Sequence, residues 1–417
     1  MSGVSNERHA RLLPVAEDAR VAPIELFFDL VFVFSLTQVT ALMASDLSSR
    51  ALIRGLLLLA LLWWCWVGYA WLGNIVQADE GLGRVAMFGA MAAMFVLAIS
   101  VPEAFDDRLG GLDGPVVLAF AYLAVRVLHL FMFFLLSKDD HGLRVQVWRF
   151  APSVIGSTAL LLVASQMEGR AQTLTWVGVL IVDYVGVILG GAAGWRLRSA
   201  SHFAERHGLI IIVALGESIV ATGLAVAGVP ISWPIIGAAV LGLALAACVW
   251  WAYFDVSSIA AERVLRLSEG EARARLARDA YSYLHLPMIA GIVLMALGLK
   301  EVLASVGGAH GLELSDPLET LAAAALYGGV ALFLFGYVGF KFRTWHQLQV
   351  PRLLVGILLL ALIPVAATIP ALAALALLTA VMVVTIAAEA VRYMELREQV
   401  RHDDPTAALH GREVGAG

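Results

Sequence analysis

PIELFFDLVFVFSLTQVTALM, Pro23 to Met43, decides the class of fold. The stretch is 21 residues long, and a bilayer core needs roughly 20 apolar residues per helix. Two carboxylates interrupt it, Glu25 and Asp29, four positions apart. On a helix they lie about 40° apart, on one face with Phe32 and Leu36, while Gln38 points nearly the opposite way. Glu25 has a structural reason to be there: it sits in the first turn, where the helix dipole favours an anion, and Pro23 suits a helix start. Asp29, one turn deeper, has no such reason and asks for a partner or a function.

The rest of the chain agrees with a membrane setting. Of 417 residues 60% are hydrophobic and 15% charged, against about 25% charged in a soluble domain. Mean hydropathy is +0.84. The net charge of -5 is small and no basic stripe marks a nucleic-acid partner. Cys65 and Cys248 both lie in apolar runs, so they read as buried small hydrophobes rather than a disulfide framework or a metal cluster. The polar N-terminus lacks the apolar core of a signal peptide and reads as a cytoplasmic lead-in.

Twelve spans are expected, at 23–43, 52–73, 84–103, 115–137, 147–166, 173–195, 205–227, 233–255, 280–302, 320–340, 351–368 and 371–393. With the N-terminus inside, 22 of the 28 Lys and Arg fall in cytoplasmic segments. That is a strong positive-inside bias, and an even count puts both termini in the cytoplasm. The fold class is therefore an all-α polytopic membrane protein. The longest inner loop, 256–279, reads as a charged amphipathic helix and connector. The segment 395–417 reads as a disordered cytoplasmic tail.

The two halves align. IELFFDLVFVFSLTQVTA placed beside AERHGLIIIVALGESIVA sets Glu25 on Glu205, Thr37 on Glu217 and Gln38 on Ser218. Further on, WWCWVGY resembles CVWWAYF, with Trp66 on Trp250 and Tyr69 on Tyr253. The expected organisation is a lead-in over 1–22 and two parallel six-helix repeats, 23–195 and 196–394. Internal repeats of this kind are frequent in transporters.

Charge inside a bilayer is costly, about 2.5 to 3.5 kcal/mol for Asp, Lys or Arg at a helix centre, and such groups usually face the bundle interior and pair. Arg126 in the fourth span, Asp183 in the sixth and Glu217 in the seventh have similar depth, and His129 follows Arg126 at i+3. Arg126 is expected to pair with Asp183 or Glu217, as a structural ion pair or as a solute or coupling-ion site. Asp29 joins this polar group. Glu25, Gln38, Glu205, His207, Ser218 and His285 are secondary candidates. Glu205, Arg206 and His207 open the seventh span and read as a hydrated rim. His285 is expected to pair with an acid of the first helix. Trp63, Trp64, Trp66 and Tyr69 read as packing and interface belt. HEXXH and GXSXG are absent, the glycine-rich stretches follow no strand, and no Cys/His spacing suits zinc. No catalytic residue, cofactor or metal ligand is assigned.

ELFFDLVFVFSLTQ in the first span, YLAVRVLHLFMFFL in the fourth and ERHGLIIIVALGESIV in the seventh resemble the bacterial low temperature requirement A (LtrA) family. The likeness runs from about Ala22 to Tyr393. It implies a multi-pass protein of the bacterial inner membrane and supplies no mechanism. FFDLVFVFSLT is also similar to the F-S-D signature that opens the first helix of a lysosomal potassium-channel family. Phe28 stands in place of the Ser, and Gly208 and Leu209 replace the second F-x-D, so no pore residue is carried over.

The leading expectation is a transporter or channel-like permease, coupled to protons or cations, whose partners are the lipid bilayer and a small solute or ion. Two other readings stand beside it: a non-transporting membrane scaffold with structural charges, and an intramembrane lipid-modifying enzyme using His129 or His285 as base.

Overall fold

The computed structural model describes residues 15–392, apart from residues 18 and 309–312. The expected disordered tail, and most of the N-terminal lead-in, lie outside the described residues. Eleven helices are long and apolar enough to cross a membrane, and a twelfth apolar helix, Val350–Ala366, is shorter. The only bridge pairing among the described residues is an isolated one between Pro317 and Pro370. The protein is an all-α polytopic membrane protein.

The helices group into two compact units, one running to Arg206 and including Glu269–Arg278, the other comprising His207–Ser268 and the residues from Asp279 on. The first unit holds α1 (Pro23–Ser45), α2 (Ser49–Ile75), α3 (Gly81–Ile99), α4 (Gly114–Leu136), α5 (His141–Ala164), α6 (Gly169–Gly190) and the opening of α7 (Ala200–Ala225). Side chains set several of these starts. Ser48 accepts from Ala51 N at 3.2 Å, Asp113 from Val116 N at 3.0 Å and Asp140 from Leu143 N at 3.1 Å, each an N-cap satisfying an otherwise orphaned donor.

Helix α2 is buried at every residue from Leu58 to Ile75. A helix that is apolar all round belongs inside a bundle, and LLLLALLWWCWVGYAWL is such a sequence. Trp63 and Trp66 are fully buried and stacked at 4.9 Å. These rings are packed within the protein, as the packing half of the reading expects, and they place one indole N–H beside a charged group described below.

The second unit continues α7 and adds α8 (Trp233–Phe254), α9 (Ser257–Leu267), α11 (His285–Val306), α12 (Thr320–Trp345), α13 (Val350–Ala366) and α14 (Ala371–Arg392); the short α10 (Gly270–Leu276) belongs to the first. The loop 256–279 is helical, as its charge pattern predicts, with Ala260, Ala261 and Leu265 buried on one side of α9. In the close α11–α12 pair, a Cβ on Gly291 would fall 2.5 Å from Gly329 O. Small residues let two backbones approach in this way.

Several boundaries differ from the sequence reading, and two of them have a visible local cause. Helix α12 runs on to Trp345, because Arg343 favours a C-terminal turn and His346 closes it in the left-handed region at φ 57°. Helix α7 starts at Ala200, five residues before the expected 205, because Ser199 Oγ accepts from His202 N at 3.2 Å and caps it there. This second shift changes the reading of the site.

Candidate functional site

Glu25 and Asp29 on α1 are four residues apart, and so are His202 and Arg206 on α7. Each pair therefore projects from one helix face, and the four side chains interlock. Arg206 Nη1 donates to Glu25 Oε1 at 2.6 Å and Nη2 to Asp29 Oδ1 at 2.8 Å. His202 Nε2 lies 2.8 Å from Glu25 Oε2. The same Oε2 accepts from Ala22 N at 3.0 Å, so Glu25 also closes the first turn of α1. Asp29 Oδ1 accepts a second bond, from Trp66 Nε1 at 2.8 Å, and the Arg206 guanidinium stands 5.5 Å from the Trp66 ring centroid. Glu25, Asp29, His202 and Arg206 are all buried.

Helix α2 makes room for this group. A Cβ on Gly73 would overlap Glu25 Oε1, so a larger residue there must displace the carboxylate. The next residue, Asn74, is fully buried and fixes the chain leading into α7: its Oδ1 accepts from Arg198 N at 2.8 Å and its Nδ2 donates to Ser199 O at 2.6 Å. Two polar atoms of the group keep bonding capacity. Asp29 Oδ2 and Arg206 Nε are buried without a hydrogen-bond partner among the described residues.

An open cavity of about 300 Å³ reaches Glu25 and His202, with Arg20, Gln77, Asp79 and Glu80 on its walls. The acid–histidine edge of the group therefore borders this cavity, and Asp29 lies one helical turn further along α1.

A second polar group lies deeper. Arg126 is about 18 Å along α4 and Asp183 about 21 Å along α6, at 1.5 Å per residue. Arg126 Nη2 and Asp183 Oδ1 stand 3.6 Å apart with both side chains inaccessible. Neither atom has a hydrogen-bond partner among the described residues, and Arg126 Nε has none either. Tyr122 O–H donates to Asp183 Oδ2 at 2.5 Å and lies 3.0 Å from Ser157 Oγ. The guanidinium also covers the Phe150 ring at 4.8 Å. His129 joins this neighbourhood without an ionic partner. Its ring packs on Phe133 at 4.9 Å and Tyr69 at 5.8 Å, and neither nitrogen has a hydrogen-bond partner among the described residues.

Of the two acids offered to Arg126 by the sequence, Asp183 is the one beside it; Glu217 and Ser218 are buried in the second unit. Ser218 Oγ donates to Leu215 O at 2.6 Å. Gln38 is half-buried. The expected rim splits: Glu205 is exposed and accepts from Val21 N at 3.3 Å, whereas Arg206 and His207 are buried. The early start of α7 is the reason, since it puts Arg206 nearly two turns into the helix. The expected pairing of His285 with an acid of the first helix is also corrected. Its Nδ1 donates to Ala280 O at 3.1 Å and its Nε2 is hydrogen-bonded to the Tyr253 hydroxyl at 2.9 Å. His207 packs against it edge-on at 5.1 Å.

The sequence reading missed Arg206, His202 and Trp66 as parts of the site. A signal was present: the buried acids outnumber Arg126, so a second cation was needed, and His202 and Arg206 share the four-residue spacing of Glu25 and Asp29. Among the described residues no group of three or more His, Cys, Asp or Glu side chains is placed to hold a metal ion.

Residues 20–387 match the family described as bacterial low temperature requirement A protein (LtrA), and the chain belongs to it. A protein of Rhizobium meliloti (strain 1021), itself described as uncharacterized, is 30% identical over 333 residues, which is 76% of each chain. No solved structure matches.

Proposed function

We propose that this chain is a permease of the bacterial inner membrane that passes a small cation or a proton, with Glu25 and Asp29 as its first carriers. One observation carries the reading. Two buried carboxylates share a single guanidinium, and the outer one opens onto a cavity of about 300 Å³. Asp29 Oδ2 has no hydrogen-bond partner among the described residues and is available to accept a proton or a cation. An ion entering the cavity meets the Glu25–His202 pair first and Asp29 next. The Arg126–Asp183 pair, deeper in the same unit, supplies a second station: a proton taken by Asp183 cancels its attraction for Arg126 and frees the guanidinium. Buried ionisable groups of this kind mark ion and proton pathways in membrane proteins. The excess of arginine in the expected cytoplasmic loops supports the assigned location and orientation.

A scaffold reading rests on the two-pronged grip of Arg206 on Glu25 and Asp29, which would also serve to tie α1 to α7. Flux through proteoliposomes separates the two. A permease carries at least one ion of a panel containing protons, Na⁺ and K⁺, and Asp29→Asn lowers that flux while the protein stays folded. A scaffold carries none of them.

A further inference from the structure

Helix α2 carries polar groups at both ends. Gly73 stands against Glu25 at one end. At the other, 19 residues earlier and about 28 Å along the helix, Arg54 holds a second arrangement. Its Nη1 donates to Asp106 Oδ2 at 3.1 Å and its Nη2 to Gln172 Oε1 at 2.9 Å. Gln172 Nε2 donates in turn to Phe105 O at 2.9 Å. The guanidinium covers the Phe105 ring at 4.5 Å, and that ring packs on Trp176 at 4.9 Å. One arginine thus ties the loop after α3 to α2 and α6. We propose that this latch is the outer gate of the ion path in the first unit: closed, it holds Phe105 across the end opposite the Glu25–His202 cavity, and its release admits water and ions to the Arg126–Asp183 pair. The inference rests on the permease reading.

Three helices place the latch above the deeper pair. Asp183 is 11 residues beyond Gln172 on α6, and Arg126 is 12 residues beyond Gly114, where α4 leaves the loop; at 1.5 Å per residue these are about 16 and 18 Å. Cys65, 11 residues beyond Arg54 on α2, lies at the same depth and is close enough to Arg126 and Asp183 to feel both charges. The next residue, Trp66, donates to Asp29. Along α2 the order is therefore latch, Arg126–Asp183 pair, Asp29 and the Glu25 cavity. The distribution of Lys and Arg assigns the Arg54 end to the outside and the cavity to the cytoplasmic side. A path open at one end and shut at the other is what alternating access requires.

The latch is made to open rather than to rivet. The Asp106 side chain is 83% exposed and that of Arg54 10%, and an ion pair with one partner in solvent adds little to stability. Arg54 Nε is buried with no hydrogen-bond partner among the described residues, so the closed arrangement leaves one donor unmet. Arg352 in the second unit is the contrast: its Nε, Nη1 and Nη2 all donate, to Glu389 and to Ala252 O. The loop is also braced internally. Glu103 Oε2 accepts from Arg108 N at 3.4 Å and Asp107 Oδ1 from Gly114 N at 2.9 Å, so Phe105 and Asp106 move as one piece. Residues 103–113 hold four acids and one arginine, a balance that draws cations to the opened end.

The test uses the full chain in right-side-out membrane vesicles, with the native, buried Cys65 as reporter. A membrane-impermeant methanethiosulfonate is added outside, and modification of Cys65 is followed by peptide mass spectrometry. Inverted vesicles give the rate from the cytoplasmic side. Wild-type Cys65 is expected to react slowly from outside. Arg54→Gln is expected to raise the outer rate about tenfold, the factor that corresponds to about 1.4 kcal/mol lost from the closed state, and to leave the inner rate unchanged. Asp106→Asn, which alters only the exposed partner, should raise the outer rate by a smaller factor, and it decides the matter if Arg54→Gln does not fold. An outer rate equal to that of the wild type in the folded variant, or a rise of equal size from both sides, overturns the gate. Labelling reads access and needs no flux. Sided labelling without flux of any ion would contradict the permease reading and leave the latch a gate for solvent; flux with outer labelling unchanged in the variants would contradict the gate alone.

Discussion

Asp29 and Arg206 meet at 2.8 Å across 177 residues of sequence, both side chains buried, and the same guanidinium holds Glu25 with its other nitrogen at 2.6 Å. The contact answers what the acid of the first span faces. It also makes Arg206 the most consequential cation of the first unit. Replacing it by methionine leaves two carboxylates buried with His202, Trp66 and the Ala22 backbone N–H as partners and no guanidinium between them. Removing one partner of a buried ion pair costs about 3–5 kcal/mol, and here two acids depend on one cation. Arg206→Met is therefore expected to reduce the detergent-stable folded fraction sharply in size-exclusion chromatography. Adding Glu25→Gln and Asp29→Asn to the same chain should restore much of it, because the uncompensated charges are then gone.

Gly73 makes a second prediction that does not touch charge. Its missing Cβ is occupied by Glu25 Oε1. Gly73→Ala must push the carboxylate off Arg206 or separate α2 from α1. Overpacking of this kind costs about 1–3 kcal/mol, and a fall in melting temperature with no change in expression checks it. Gly68→Ala, whose Cβ would stand at 3.1 Å from the His129 ring, should cost less, because the approach is looser than the overlap at Gly73.

The class of fold and the depth of Arg126 and Asp183 were legible because both follow from hydropathy and a fixed rise per residue. The choice of Asp183 as the partner of Arg126 was not, since two acids at one depth on two helices are equivalent until the helices are packed. The Glu25 group was half legible. The four-residue spacing put both acids on one face, but the partner face was hidden by a five-residue error in the start of α7. ERHGLIII reads as the first apolar stretch, so Arg206 looks like a rim residue; Ser199, a capping serine ahead of a polar turn, starts the helix earlier and carries Arg206 inward. His285 misled for another reason. A tyrosine and a free carbonyl satisfy an imidazole as well as a carboxylate does, and neither is visible as a candidate in a hydropathy scan.

At the deeper pair, Tyr122 donates to Asp183 at 2.5 Å and also meets Ser157. Tyr122→Phe removes a buried bond to a charged group, and the loss should be about 1.5–3 kcal/mol. In Asp183→Asn the phenol still has an acceptor, so the same tyrosine substitution is expected to cost less there. A double-mutant cycle on thermal stability reads the difference directly; additive effects would place the phenol outside the ion pair's network.

Glu217 is buried in the second unit and is proposed as a further carrier. Glu217→Gln conserves shape and removes the charge, so the protein is expected to stay in the membrane at normal level while ion flux falls about tenfold or more, equivalent to some 1.4 kcal/mol on the limiting step. Loss of folded protein in parallel with flux would instead give Glu217 a structural role.

The central proposal is that Asp29, whose Oδ2 has no hydrogen-bond partner among the described residues, carries an ion. Its most direct test is ion flux into proteoliposomes containing purified wild-type protein or Asp29→Asn, matched for folded protein and assayed for protons, Na⁺ and K⁺. The account predicts flux of at least one of these ions with the wild type, and a loss of about tenfold or more with Asp29→Asn. Flux unchanged by Asp29→Asn, or no flux of any of the three with folded wild-type protein, would contradict it.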